Sequence, residues 1–162
     1  MKLSQVELAS LADLAPGDLF FSLEQHSAPF MAGSINGTPV RIILGGEATF
    51  HVGQTWPAQR GVLIREATFE VDLSSVKLRL DERDCACGEL LRFIGGFGML
   101  GTEEHGQHVV VLGGDMPADG NVRYVAFSSW TLGVGSGQDR NVIIRCVDRS
   151  VRMVPDQTLS GL

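Results

Sequence analysis

The sequence is short of charge, of cysteine and of long apolar runs, and each shortage excludes something. Thirteen basic and nineteen acidic residues make up only 20% of the 162 residues, with a net charge of −6. A protein dominated by nucleic-acid or anionic-membrane contacts needs a basic face, so neither is expected as a partner, although a small basic patch fits within an acidic average. The cysteines are three, Cys85, Cys87 and Cys146, an odd count that forbids a complete disulfide framework. A chain of this length buries roughly 70% of its unfolded surface and needs no such framework to hold a core. No stretch approaches the roughly 18 consecutive apolar residues of a membrane helix. The start, MKLSQVELASLADLAPGDLFF, has Glu7 and Asp13 where a signal peptide has a basic region and an unbroken apolar run, so a cytoplasmic, reducing location is expected.

Catalytic fingerprints are equally scarce. There is no G-x-S-x-G, and Gly133-Val134-Gly135-Ser136-Gly137 lacks both the strand–helix context of a dinucleotide site and the Gly-Lys-Ser/Thr of a phosphate loop.

Hydrophobic residues amount to 44%, which excludes global disorder, and the length suits one domain. Ser4-Gln5-Val6-Glu7 reads as a capping box, with Leu3 and Leu8 as a staple. Leu3, Val6, Leu11 and Leu14 form a stripe that Pro16-Gly17 ends, so a short helix is expected over residues 4–14. Beyond it the chain is a succession of short β-branched and aromatic runs separated by Gly, Pro, Asn and Ser. Asn36-Gly37 between two runs is a hairpin signal. Residues 61–73 alternate, with Leu63, Ala67, Phe69, Val71 and Leu73 on one face, and predict one half-buried strand; residues 122–134 predict another. The expected fold is all-β: an antiparallel sandwich or barrel of about ten short strands spanning residues 1–154, with one N-terminal helix and a frayed tail at 155–162.

Two constellations carry chemistry. Cys85-x-Cys87 followed by His105-x-x-His108 offers the two thiolates and two imidazoles of a tetrahedral structural zinc. The cysteines are closer than the usual two-to-four-residue spacing, and the acidic stretch DERDCACGE also reads as an ordinary polar loop, so no cofactor is expected and zinc is the lesser alternative. Acidic neighbours also work against a reactive thiolate. His51, Trp56 and Arg60 lie close in sequence around a loop and could form a small-ligand site; the competing reading makes Trp56 a plug at one end of the core. Glu70 and Asp72 share a strand face, but with Glu66 and Thr68 beside them they read as solvated surface, and His26 reads as a turn residue.

The resulting expectation is a non-catalytic binding or assembly module, with a ligand-binding or enzymatic barrel as the alternative. A homodimer is expected because Val109-Val110-Val111-Leu112 and Val142-Ile143-Ile144 carry no charge to protect a sheet edge and must be central or paired.

Overall fold

Successive residues of a strand point to opposite sides, so runs such as Leu19-Phe20-Phe21, Val62-Leu63-Ile64 and Val109-Val110-Val111-Leu112 demand a sheet buried on both faces. The computed structural model, which describes residues 4–24, 27–54, 59–118 and 120–154, contains such a sheet. Its strands in chain order are β1 (Ser4–Leu8), β2 (Leu19–Ser22), β3 (Phe30–Ile35), β4 (Thr38–Ile43), β5 (Val52–Gly53), β6 (Gln59–Ile64), β7 (Thr68–Val71), β8 (Val76–Arg79), β9 (Leu90–Phe93), β10 (Gly96–Glu103), β11 (Gly106–Gly114), β12 (Tyr124–Phe127), β13 (Trp130–Val134), β14 (Asn141–Val147) and β15 (Ser150–Met153). Eleven of them form the larger sheet in the order β1-β6-β2-β3-β11-β10-β9-β12-β8, with β4 also paired to β3 and β5 to β4. The smaller sheet runs β15-β14-β13-β7.

One face of the larger sheet, through Leu19, Met31, Val62, Leu90, Met99 and Val110, shares a core with Trp130, Leu132, Ile144 and Cys146 of the smaller sheet. Its opposite face is covered in two patches. Leu8, Leu11 and Leu14 pack on Phe20, Phe30 and Leu63, and Cys85 with Tyr124 packs among Leu91, Leu100, Val109 and Val111. The uncharged runs therefore lie in interior strands: β11 between β10 and β3, and β14 between β13 and β15. Asn36 and Gly37, with φ of 50° and 78°, make the two-residue turn of the β3–β4 hairpin, as their sequence leads one to expect.

Four expectations need correction. The N-terminal helix is absent. Ser4–Leu8 is an edge strand on β6, and only the single 3-10 turn Leu11–Asp13 follows. An isolated helix of eleven residues is marginal, and the ladder to β6 outcompetes it. The turn is closed by Asp13, whose carboxylate accepts from the Ala9 and Ser10 amides at 3.1 and 2.9 Å. Residues 61–73 divide between the sheets: Val62, Leu63 and Ile64 are all buried in β6, and only Ala67, Phe69 and Val71 keep the expected face, while Leu73 is 74% exposed. Residues 122–134 likewise break at Ser128-Ser129 into β12 and β13. Finally, the larger sheet does not close into a barrel; a single parallel bridge from His51 to Thr102 links the β4–β5 region to β10. The expected tail at 155–162 lies outside the described residues.

Two of the chain's three crossings between layers among the described residues, at residues 72–75 and 128–129, meet at one hydrogen-bonded corner. The Asp72 amide donates to the Ser129 carbonyl at 3.0 Å, and the Ser129 amide donates to Ser75 Oγ at 3.2 Å. Ser75 Oγ donates to the Asp72 carbonyl at 2.7 Å, and the Asp148 amide donates to Ser129 Oγ at 2.9 Å. A second tie comes from Trp130, 1% exposed, whose indole Nε1 donates to the Gly88 carbonyl at 3.0 Å.

Trp130→Phe keeps an aromatic filler but strands that buried carbonyl, so urea unfolding is expected to show a loss of about 1–3 kcal/mol. At the N-terminus, Asp13→Ala is expected to cost about 1 kcal/mol, as for a lost cap. Ser4→Ala, on an exposed strand end, is expected to stay within about 0.5 kcal/mol of wild type. The reverse ranking in denaturation midpoints would restore the helical reading.

Candidate functional site

The smaller sheet stops at β7 because Asp72 turns the chain away. Its carboxylate accepts from the Ser74 amide at 2.9 Å and from Ser74 Oγ at 2.7 Å, opening the 3-10 turn Leu73–Ser75 that returns the chain to the larger sheet as β8. These hydrogen bonds hold the Asp72 carboxyl below the usual carboxylate range. The larger sheet, by contrast, continues through β9, β12 and β8. The result is a cleft of about 870 Å³ whose apolar walls include Phe69, Val71, Leu90, Phe97 and Phe127. Its volume and apolar lining are those of a ligand pocket.

The floor, where Arg92 and Phe97 line the cleft, runs on beyond it by register. Leu78 lies opposite Val125, Val125 opposite Arg92, and Arg92 opposite Phe97. Directly opposed residues share a face, so these four form one row across four strands. Leu78 is 67% exposed, Val125 36% and Phe97 37%. Phe97 lies over Gly113, where a Cβ would come within 2.3 Å of the ring. The Phe69 ring meets Phe97 edge-on at 6.1 Å and Trp130 edge-on at 5.2 Å, joining the cleft to the core.

The roof is an edge that is unpaired among the described residues. Because the Asp72 amide donates to Ser129, alternation in an antiparallel ladder makes Glu70 and Thr68 the residues bonded to β13. The N–H and C=O groups of Phe69 and Val71 therefore point to the free edge. Arg140 locks β7 from the other side: its guanidinium donates to Thr131 Oγ1 at 2.7 Å and the Thr68 carbonyl at 2.7 Å, and faces Glu70 at 3.5 Å.

The residues singled out in the sequence lie elsewhere or apart. His51 is exposed beside β5, Arg60 on β6 faces Glu7 at 3.9 Å, and Trp56 and His26 fall outside the described residues. Cys85 is buried on one face of the larger sheet, its thiol directed to the Asp81 carbonyl at 3.6 Å, whereas Cys87 packs toward the core on the other face, 3.0 Å from Thr102 Oγ1. His105 is exposed in the β10–β11 turn, and His108 Nε2 lies 3.5 Å from Glu103. Among the described residues no three His, Cys, Asp or Glu side chains converge in a geometry fit for a metal ion. Glu70 and Asp72 engage Arg140 and Ser74 rather than each other. The loop carrying the cysteines is instead anchored by Glu89, 1% exposed, which accepts from the Ala86 amide and from Arg79 Nη2 at 2.9 Å.

Sequence reasoning missed the cleft. Its one legible trace is the alternation Val76-Lys77-Leu78-Arg79-Leu80, whose apolar members are exposed at 49%, 67% and 64%.

Burial pushes the Cys85 and Cys146 thiols up to about 12. Native protein at about pH 8 is therefore expected to present at most one thiol, Cys87, to a maleimide, and all three after denaturation. Both groups stay protonated in the fold and ionise when unfolded, so stability is complete below about pH 9 and falls as pH rises toward 12, which a pH series of unfolding midpoints checks.

A family model described as "Uncharacterised protein y4lG" matches residues 8–152. A curated relative, "Uncharacterized protein y4lG" of Sinorhizobium fredii (strain NBRC 101917 / NGR234), is 23% identical over 148 residues, covering 86% of this chain and 89% of that protein. No solved structure matches the chain. The matched span takes in both sheets, the corner and the cleft, leaving out all of β1 but Leu8 and the last residue of β15, and the chain belongs to the y4lG family.

Proposed function

We propose that the protein is a non-catalytic binding module that takes an extended polypeptide segment along the free edge of β7. The observation that carries this reading is the coincidence of that edge with a floor, apolar but for Arg92, that no other described residues cover. A strand added beside β7 finds donors and acceptors on Phe69 and Val71, and its alternate side chains fall toward Phe97, Val125 and Leu78. The cleft lining contains no cysteine, histidine, serine or carboxylate among the described residues, which favours binding over catalysis.

Panning a displayed library of random ten-residue peptides is expected to enrich segments that alternate apolar and polar side chains. Val71→Pro removes one edge N–H while leaving the β13 ladder intact, and is expected to weaken such peptides at least about tenfold. Val125→Asp is expected to do the same from the floor. Enriched peptides that lack alternation, or that bind both variants as well as wild type, would overturn the reading.

A second reading rests on β8. It is an edge strand whose Val76 and Leu78 are 49% and 67% exposed, and a second copy of the chain would cover them. Light scattering at micromolar concentration is expected to give a mass near twice 17.4 kDa that Leu78→Asp halves. A wild-type monomer removes this reading and leaves the first untouched.

A further inference from the structure

The outer face of the smaller sheet carries a charge arrangement that the fold does not neutralise. Asp148 and Arg149, with φ of 46° and 64°, form the two-residue turn of the β14–β15 hairpin, and this turn fixes the register. Arg145 is thereby set directly opposite Arg152, and Val147 opposite Ser150. Directly opposed side chains have Cβ atoms roughly 5 Å apart, and like charges so placed destabilise a sheet. Both arginines are exposed.

Four other arginines face carboxylates: Arg60 with Glu7, Arg79 with Glu89, Arg83 with Asp81 and Arg140 with Glu70. Glu70, the acidic residue of the same sheet face, is engaged by Arg140 two strands away. Neither Arg145 nor Arg152 has an ion pair among the described residues. The two line a concavity of about 390 Å³ together with Val147 and Ser150. Arg145, Arg152, Ser150 and Val147 thus share one sheet face around this concavity, in a chain whose net charge is −6.

We propose that this spot is an anion site for a phosphate group. A phosphate dianion neutralises both guanidinium charges and offers three oxygens to two forks and the Ser150 hydroxyl, whereas a single carboxylate leaves one positive charge uncompensated. The site lies on the face opposite the cleft and stands independently of the peptide-binding reading. Its ligand is a phosphomonoester, either on a soluble small molecule or on a lipid headgroup.

The test compares thermal unfolding in about 20 mM inorganic phosphate with sodium chloride and sodium acetate at matched ionic strength. Phosphate is expected to raise the wild-type midpoint by roughly 2–4 °C over both controls. Arg145→Gln and Arg152→Gln are each expected to abolish that rise. In chloride, both variants are expected to unfold at or above the wild-type temperature, because the repulsion is gone. Arg83→Gln, at a paired site, is expected to keep the response. A wild-type midpoint equal in phosphate and chloride overturns the site, as does a response that survives both substitutions. Acetate matching phosphate overturns the choice of ligand. With the phosphate response in hand, cosedimentation with phosphatidylcholine vesicles containing phosphatidic acid assigns the group to a lipid, and its failure assigns it to a soluble ester.

Discussion

The hydrogen bonds at Ser128-Ser129 govern where everything else in this protein can be. Two passes of chain, residues 59–71 and 124–134, each give one strand to each sheet, and the two meet where Ser129 engages Asp72, Ser75 and Asp148. This junction sets the phase of β7 against β13. From that phase follows which amides bond inward and which face outward, and hence that Phe69 and Val71 have an open edge. It also ends the smaller sheet at β7. A shift of one residue would exchange the two faces of β7 and carry Phe69 out of the core.

The two layers are then pinned at a second place through the loop of residues 81–88. Trp130 reaches the Gly88 carbonyl, while the Arg79–Glu89 ion pair joins the two ends of the same loop. Removing one partner of a buried pair costs far more than the pair itself contributes, so this loop is a structural element. Cys85 and Cys87 fit that description: one residue apart where the chain enters the turn 86–89, they serve cores on opposite faces. The same period of two that makes Cys-x-Cys look like a chelate in sequence breaks when the chain turns between them.

Fold class was legible because runs of β-branched residues between turn formers leave little choice, and Asn36-Gly37 was legible because only certain residues take two successive left-handed conformations. The uncharged runs at 109–112 and 142–144, expected to be central or paired, lie in the interior strands β11 and β14. The N-terminal segment was misread because its cap chemistry is local while its partner, β6, lies more than fifty residues away. The breaks at residues 65–67 and 128–129 were hidden for a related reason: a strand that changes sheets keeps its alternation and loses only its neighbours. Beyond the alternation at 76–80 the cleft left no trace, since an exposed Leu78 and a buried Leu63 differ in what covers them, which no pattern along the chain encodes.

The division of labour between early and late parts of the chain has a consequence for biosynthesis. Leu19, Met31, Val62 and Ile64 belong to strands made first, yet the layer that covers their inner face is supplied by Trp130, Leu132, Ile144 and Cys146. During synthesis the first half of the chain can pair its strands but must wait, with one apolar side open, until nearly all of the remainder has left the ribosome. At about 5–20 residues per second that interval lasts several seconds, long enough for chaperone capture or misassociation between neighbouring nascent chains.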